Sequence, residues 1–268
     1  MFKTCFLRVE QSRFCIRLLI FINLSIKNMN YIKQFITKKN LLFIAIFAFV
    51  GFIALQIPVA QLVGSKVKFT VYDAFAPVAG SFIGSIPGVI AVFFMQFFNF
   101  LFHGAQIQDV GTIIRFFPML FAVLYFAKKG KFNVIVPLFA IAAFIAHPIG
   151  REVWYFTLFW TIPIISYFLR DRFLFARALG STFTAHAVGG ALWIWAFALP
   201  ASVWNSLIPI VAIERLLFAL GICGSFVVVN NLLCFLEKKQ LLHLGFHINQ
   251  KYLVPTLRTN YESKTVTT

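Results

Sequence analysis

Glu214 and Arg215 stand side by side about two turns inside an apolar run from Leu207 to Leu236, where ionisable groups are costly and by default mark a site. Neighbours on a helix point about 100° apart, so the two are not expected to satisfy each other. Arg151 and Glu152 offer the complementary pair, Glu214 with Arg151 and Arg215 with Glu152. One reading is that this quartet only locks two helices together. The other is that Arg115, Arg151 or Arg215 turns its planar fork toward a carboxylate or phosphate of a ligand. His103, His147 and His186 fall in three different runs, and two share a local frame, Phe144-Ile145-Ala146-His147 and Phe183-Thr184-Ala185-His186. Imidazoles can bind zinc or ligate haem, hydrogen-bond a ligand, or simply be satisfied within the protein. No pair among these three is spaced to put two ligands on one helix face, so no metal or cofactor is expected. His243 and His247 have that spacing, but Gly245 and the polar tail favour a solvated segment.

Several familiar catalytic handles are missing. There is no Gly-x-x-x-x-Gly-Lys phosphate loop, no Gly-x-Ser-x-Gly elbow and no His-Glu-x-x-His, so the chain is not expected to be an enzyme or to hydrolyse ATP by that route. Cys5, Cys15, Cys223 and Cys234 form no Cys-x-x-Cys pair and read as small buried side chains.

The elements that must position these residues follow from composition. With 60% hydrophobic residues, 36 Phe among 268 residues and 12% charged, the chain is too apolar for a soluble domain, whose charged share is about 25%. Long unbroken runs rather than alternating ones exclude a barrel. The expected fold is all-α, a polytopic transmembrane bundle of six to eight helices. The runs are Leu41–Val63, Val71–Gly84, Ile86–His103, Gly111–Ala127, Phe132–His147, Val153–Leu169, Leu174–Leu199 and Leu207–Leu236. The second, a short helix over 71–84, either spans thinly or re-enters; Ser85-Ile86-Pro87-Gly88 breaks it from the third. Residues 1–39 form a basic cytoplasmic segment without a cleavable leader, 40–236 the transmembrane domain and 237–268 a polar cytoplasmic tail. Phe14–Ile26 is interrupted by Arg17 and Asn23, and Met29 is an alternative start.

With both termini cytoplasmic, nineteen of the 24 Lys and Arg fall on the inner side, which sets the orientation of a multi-pass plasma-membrane protein. The net charge of +16 then reads as a topology signal that attracts anionic lipid, not nucleic acid. Under this topology Gln96, Asn99, His103, Arg115, His147, Arg151, Glu152, Trp154, Trp193, Trp195 and Trp204 gather toward the outer ends of five spans. The expected substrate-binding set is Asn99, His103, Arg115, His147, Arg151, Glu152, Trp154, His186, Trp193, Glu214 and Arg215. Aromatics would cover a flat ligand while Arg and His fix its polar edge.

Ala76, Gly80, Gly84 and Gly88 recur every four positions, and Ala142 with Ala146 adds a further pair; such spacing lets helices approach closely. The stretch Phe69-Thr-Val-Tyr-Asp-Ala-Phe-Ala-Pro-Val-Ala-Gly-Ser-Phe-Ile-Gly84, followed by Pro87-Gly88 and the run to Asn99, resembles the second and third helices of substrate-binding S components of energy-coupling-factor transporters. The resemblance implies a small membrane subunit that takes up a vitamin-like solute, driven by a separate coupling subunit and ATPases. That family has fewer spans than the eight runs here, and its first helix carries Ala-x-x-x-Ala for docking. Ala45, Ala48 and Ala54 form no such pair, which moves the expected docking face to the ridge Ala76, Gly80, Gly84 and Gly88. The competing readings are a histidine-containing membrane enzyme or metal or haem redox protein, and a structural membrane protein.

Overall fold

The computed structural model describes residues 38–61, 68–105, 107, 109–239 and 246–257. Expectations placed on 1–37, with Cys5, Cys15, Met29 and the stretch Phe14–Ile26, lie outside these residues, as do Lys66, His243, Arg258 and Lys264. The chain divides into Met1–Leu42 and Phe43–Thr268. The first unit supplies only the opening of helix α1 (Lys38–Leu55) to the described residues; the rest of this account concerns the second.

Helix α1 stops well before Val63. Pro58 lacks an amide proton and disfavours helix at Ile57, so the chain turns extended. Strand β1 (Pro58–Gln61) pairs antiparallel with β2 (Lys68–Thr70), Pro58 opposite Thr70 and Gln61 opposite Lys68. The described residues are mostly helical, as expected, and this small hairpin is the exception; its apolar β1 reads in sequence as the end of a span. The short helix expected over 71–84 is also not one helix. Helix α2 (Tyr72–Phe75) passes into a 3-10 turn (Ala76–Val78) opened by Pro77, then α3 (Gly80–Ile83). Gly84, at φ +100° and ψ 164°, reverses the chain into α4 (Ser85–Phe102).

Asp109 caps α5 (Val110–Ile114) by accepting from the Thr112 amide at 3.1 Å, and Arg115 forms the hitch before α6 (Phe116–Ala127). Then follow α7 (Phe132–Ala146), α8 (Pro148–Glu152), a 3-10 segment (Trp154–Thr161), α9 (Ile162–Leu169), α10 (Leu174–Phe197) and α11 (Ala201–Lys238). The 3-10 segment is held by hydroxyls that bond back three residues, Thr157 to the Trp154 carbonyl and Thr161 to that of Leu158, both at 2.7 Å. Among the described residues, Ser85–Phe102, Val110–Ala127 and Ala201–Lys238 are long and apolar enough to cross a membrane.

Helix α10 packs against α6, α7, α9 and α11. Much of its buried surface is small or hydroxylated, with Gly180, Ser181, Thr182, Thr184, Ala187 and Gly190 beside the larger Phe183, Trp193 and Ile194. Small side chains let the large aromatics of its neighbours close in. A Cβ at Gly180 would collide with the Tyr125 ring, and one at Gly190 would stand 2.6 Å from Trp160. Large apolar side chains also remain outside: Phe102, Phe139 and Phe168 are each more than 70% exposed, while Arg170, Arg215 and Asn230 are buried.

After α11 the chain folds back rather than trailing away as a free tail. Asn230 Nδ2 donates to the Asn249 carbonyl at 3.0 Å and its Oδ1 accepts from the Asn249 amide at 2.8 Å. Asn231 repeats the device, donating to the Tyr252 carbonyl and accepting from the Val254 amide, both at 2.8 Å. The His247 amide donates to the Phe82 carbonyl at 3.1 Å, and Phe246 packs on Phe43 at 5.3 Å. Replacing Asn230 by leucine leaves two backbone groups unpaired. We expect it to cost about 2 kcal/mol and to make residues 246–257 susceptible to limited proteolysis. An unchanged cleavage pattern would refute the strap. Elsewhere, Lys129 donates to Asp171 at 2.8 Å, which holds that exposed carboxyl below the ordinary aspartate range.

Candidate functional site

A cavity of about 150 Å³ lies between α2, the α5–α6 hitch, the 3-10 segment, α10 and α11. Its walls are aromatic and aliphatic: Phe69, Tyr72, Phe156, Trp193, Trp204 and Val211 are among them. Its charged lining is two acids and two arginines, Asp73 with Arg115 and Glu214 with Arg215, together with His186.

Arg115 reaches the cavity because it sits where α5 passes into α6. Both of its terminal nitrogens are engaged. One nitrogen donates to the Lys68 carbonyl, and the other meets Asp73 Oδ2 at 3.2 Å and Thr70 Oγ1 at 3.4 Å. Asp73 also accepts from the Thr70 amide at 2.7 Å. Arg115 therefore pins strand β2 to helix α2, and its charge is neutralised inside the protein.

Arg215 is treated differently. It is 4% exposed, and its guanidinium packs against the neighbouring rings of Phe69 and Phe218, 4.6 and 4.9 Å from their centres. Nη1 faces Thr182 Oγ1 at 3.5 Å, while Nε and Nη2 have no hydrogen-bond partner. Its ionic neighbour is Glu214, Oε2 to Nη2 at 3.6 Å. This corrects the expected crossed pairing with Arg151 and Glu152. The backbone directions of adjacent residues do diverge, but a long arginine stem bends back across that angle. Arg151 meanwhile spends itself on the end of α7, donating to the Ile145 and Ala146 carbonyls at 3.3 Å each. Glu152 is exposed and away from the cavity lining.

The three histidines do not act together. His186 lines the cavity, and its Nδ1 accepts the Trp160 Nε1 proton at 3.0 Å. An accepting Nδ1 carries no hydrogen, which leaves the proton on Nε2, a donor. His103 is exposed and bonds the Asn99 carbonyl at 2.8 Å, while Asn99 Oδ1 accepts from Gln56 Nε2 at 2.8 Å. His147 caps α8, accepting from the Ile149 amide at 3.3 Å, with its ring edge on Trp195 at 5.0 Å. Trp154 is 54% exposed. Of the expected set, then, Arg115, His186, Trp193, Glu214 and Arg215 converge on one cavity. Asn99, His103, His147, Arg151, Glu152 and Trp154 do not line it. Among the described residues no three of His, Cys, Asp and Glu stand together as a metal site.

Sequence reasoning missed Asp73, Tyr72, Phe69, Phe156 and Thr182 as lining residues. The signal for Asp73 was present, since a carboxylate inside an apolar run is as costly as Glu214. The others carry no such mark, because Phe is abundant everywhere in the chain.

The expected docking ridge is spent within the chain. Ala76, Gly80 and Gly88 are buried, and a Cβ on Gly88 would strike the Gly80 backbone. Of the four, Gly84 alone is exposed, at the reversal.

No protein-family model and no solved structure matches the chain. An uncharacterized protein of Methanocaldococcus jannaschii is 24% identical over 213 residues, covering 71% of this chain and 70% of that relative.

Proposed function

We propose that this chain is a multi-pass membrane subunit that captures a small solute in the cavity between α2, α6, α10 and α11. The observation that carries the reading is that cavity: ionisable groups from four separate elements converge on one aromatic-walled space of about 150 Å³. Buried charge in an apolar bundle is expensive, and a shared cavity is the usual reason for its presence. A space of this size takes a single aromatic ring. Membrane residence is supported by three helices long and apolar enough to cross a bilayer and by the many large apolar side chains left exposed, Phe102, Phe139 and Phe168 among them. Both termini are cytoplasmic in this reading, with the basic segments against anionic lipid.

By its likeness to energy-coupling-factor S components, the subunit works with a separate coupling protein and ATPases. Its own sequence holds no phosphate loop to supply that energy. Docking then falls to a surface other than the Ala76 to Gly88 ridge.

The test is to purify the protein in mild detergent and weigh it intact by mass spectrometry, then to measure its melting against a panel of vitamins and related solutes. A bound molecule, or a concentration-dependent rise in melting temperature, is expected. Absence of both across the panel would overturn solute capture. Co-purification of ATPase subunits is the expected result for the energised form.

A further inference from the structure

We infer that the solute is a flat organic cation, a single ring bearing a protonated nitrogen group that donates its N–H bonds to the Glu214 carboxylate. This rests on the solute-capture reading and adds the chemical class of the ligand.

The first ground is which polar groups the cavity leaves within reach. Its acids and arginines, two of each, cancel, so the sign of the ligand is set by what it can touch. The Arg215 side chain is 4% exposed and packed on Phe69 and Phe218, whereas that of Glu214 is 21% exposed. The acid is the accessible member of that pair. No hydrogen bond reaches its carboxylate among the described residues, and its ionic neighbour, Arg215 Nη2 at 3.6 Å, stands beyond hydrogen-bond range. In the other pair both terminal nitrogens of Arg115 are engaged by protein oxygens, while Asp73 accepts its bonds on Oδ2 and none on Oδ1. What these pairs have left to offer is carboxylate oxygen, which takes hydrogen bonds and gives none. A partly buried carboxylate without them is costly, and a charged N–H donor is its strongest partner.

The second ground is the wall. Phe156 meets Trp204 edge to face at 5.1 Å, and Trp193 and Tyr72 add further rings to the lining. Aromatic faces carry negative charge density, so they attract a cation laid on them and repel an anion. The third ground is the histidine, which brings no competing positive charge. Trp160 Nε1 donates to His186 Nδ1 at 3.0 Å, and a second proton on that imidazole would confront the indole N–H. A cation bound to Glu214 therefore shares the cavity with a neutral ring. A planar group with two parallel N–H bonds, as in an amidinium or an amino-substituted ring cation, matches the two oxygens of one carboxylate.

The experiment compares three probes of nearly one shape, on the full chain in lipid nanodiscs at neutral pH, with empty nanodiscs subtracted. Benzamidine is a cation, benzamide is uncharged and benzoate is an anion. Benzamidine is expected to bind at least about tenfold more tightly than either, by calorimetry. Glu214→Gln should weaken benzamidine about tenfold and leave benzamide nearly unchanged, with unliganded melting as the control for folding. Should that variant fail to fold, the comparison on the unaltered protein decides. Equal or tighter binding of benzamide or benzoate, or benzamidine binding that a folded Glu214→Gln leaves intact, would overturn the cation assignment and leave solute capture standing. If all three probes are silent, the tightest solute of the vitamin panel decides: a cation supports the assignment, and an uncharged or anionic solute overturns it. Silence from these probes and from the whole panel would overturn both.

Discussion

Replacing Arg177 by methionine is expected to cost on the order of 3 to 5 kcal/mol, whereas Arg172→Met a turn away should change stability by no more than about 0.5 kcal/mol. All three of Arg170, Arg172 and Arg177 look alike in sequence, as cations beside a span. In the fold only Arg172 is exposed and free of such a task. Helix α6 ends with carbonyls that have no partner of their own. Arg177 Nε donates to the Phe126 carbonyl at 2.5 Å, and its Nη2 donates to the Ala127 carbonyl at 3.3 Å and to Ser81 Oγ at 2.8 Å. Arg170 donates to the Tyr125 carbonyl and, at 3.2 Å, to that of Phe126. Positive charge at a helix carboxyl end is doubly favourable, because it bonds the orphan oxygens and opposes the negative pole. Methionine fills the space but takes away the donor to the Ala127 carbonyl and one of the two donors to the Phe126 carbonyl. Arg177→Lys should recover part of the loss, since one ammonium reaches fewer acceptors than a fork. Thermal unfolding in one fixed detergent measures all three variants. Equal, small losses for Arg172 and Arg177 would show that both serve only to orient the chain.

The second large effect is expected at Gly88. Its missing side chain lets α4 cross α3 at backbone contact: a Cβ there would meet the Gly80 backbone and stand 3.1 Å from the Ala79 carbonyl carbon. Gly80 in turn is pressed from its other side, with a Cβ there only 2.7 Å from Ala127 Cβ. Backbone on one side and a packed helix on the other leave no route for relaxation, so Gly88→Ala should cost about 3 kcal/mol. Gly84→Ala should cost about 1 to 3 kcal/mol for a different reason, because φ +100° with ψ 164° is a conformation that only glycine adopts readily. Gly224 is the control: nothing lies within 4 Å of its would-be Cβ, and alanine there should be neutral or stabilising by up to about 1 kcal/mol. If the glycine ridge were a docking face instead, Gly88→Ala would leave the melting temperature alone and release a partner.

What the amino-acid order revealed was the class of each segment and the price of its exceptions. Length and hydrophobicity marked most of the helical stretches between Ser85 and Lys238, though not the short helix Pro148–Glu152 or the first turns from Ala201, because a long apolar run leaves the backbone little choice but to bond to itself. Ionisable groups inside those runs, Glu214, Arg215 and His186, pointed to the cavity for the same reason: their burial is too costly to be incidental. The tertiary fold alone decided partners. Arg151 and Arg215 are chemically identical, yet one closes the end of α7 and the other is buried in the cavity wall against Glu214, Phe69 and Phe218, since reach across space is not encoded in spacing along the chain. The same holds for the hairpin at Pro58, the break at Pro77, the return of Asn249 onto Asn230, and the place of Asp73. Each is settled by which surface meets which, and hydrophobic pattern, being non-directional, specifies burial without naming the neighbour.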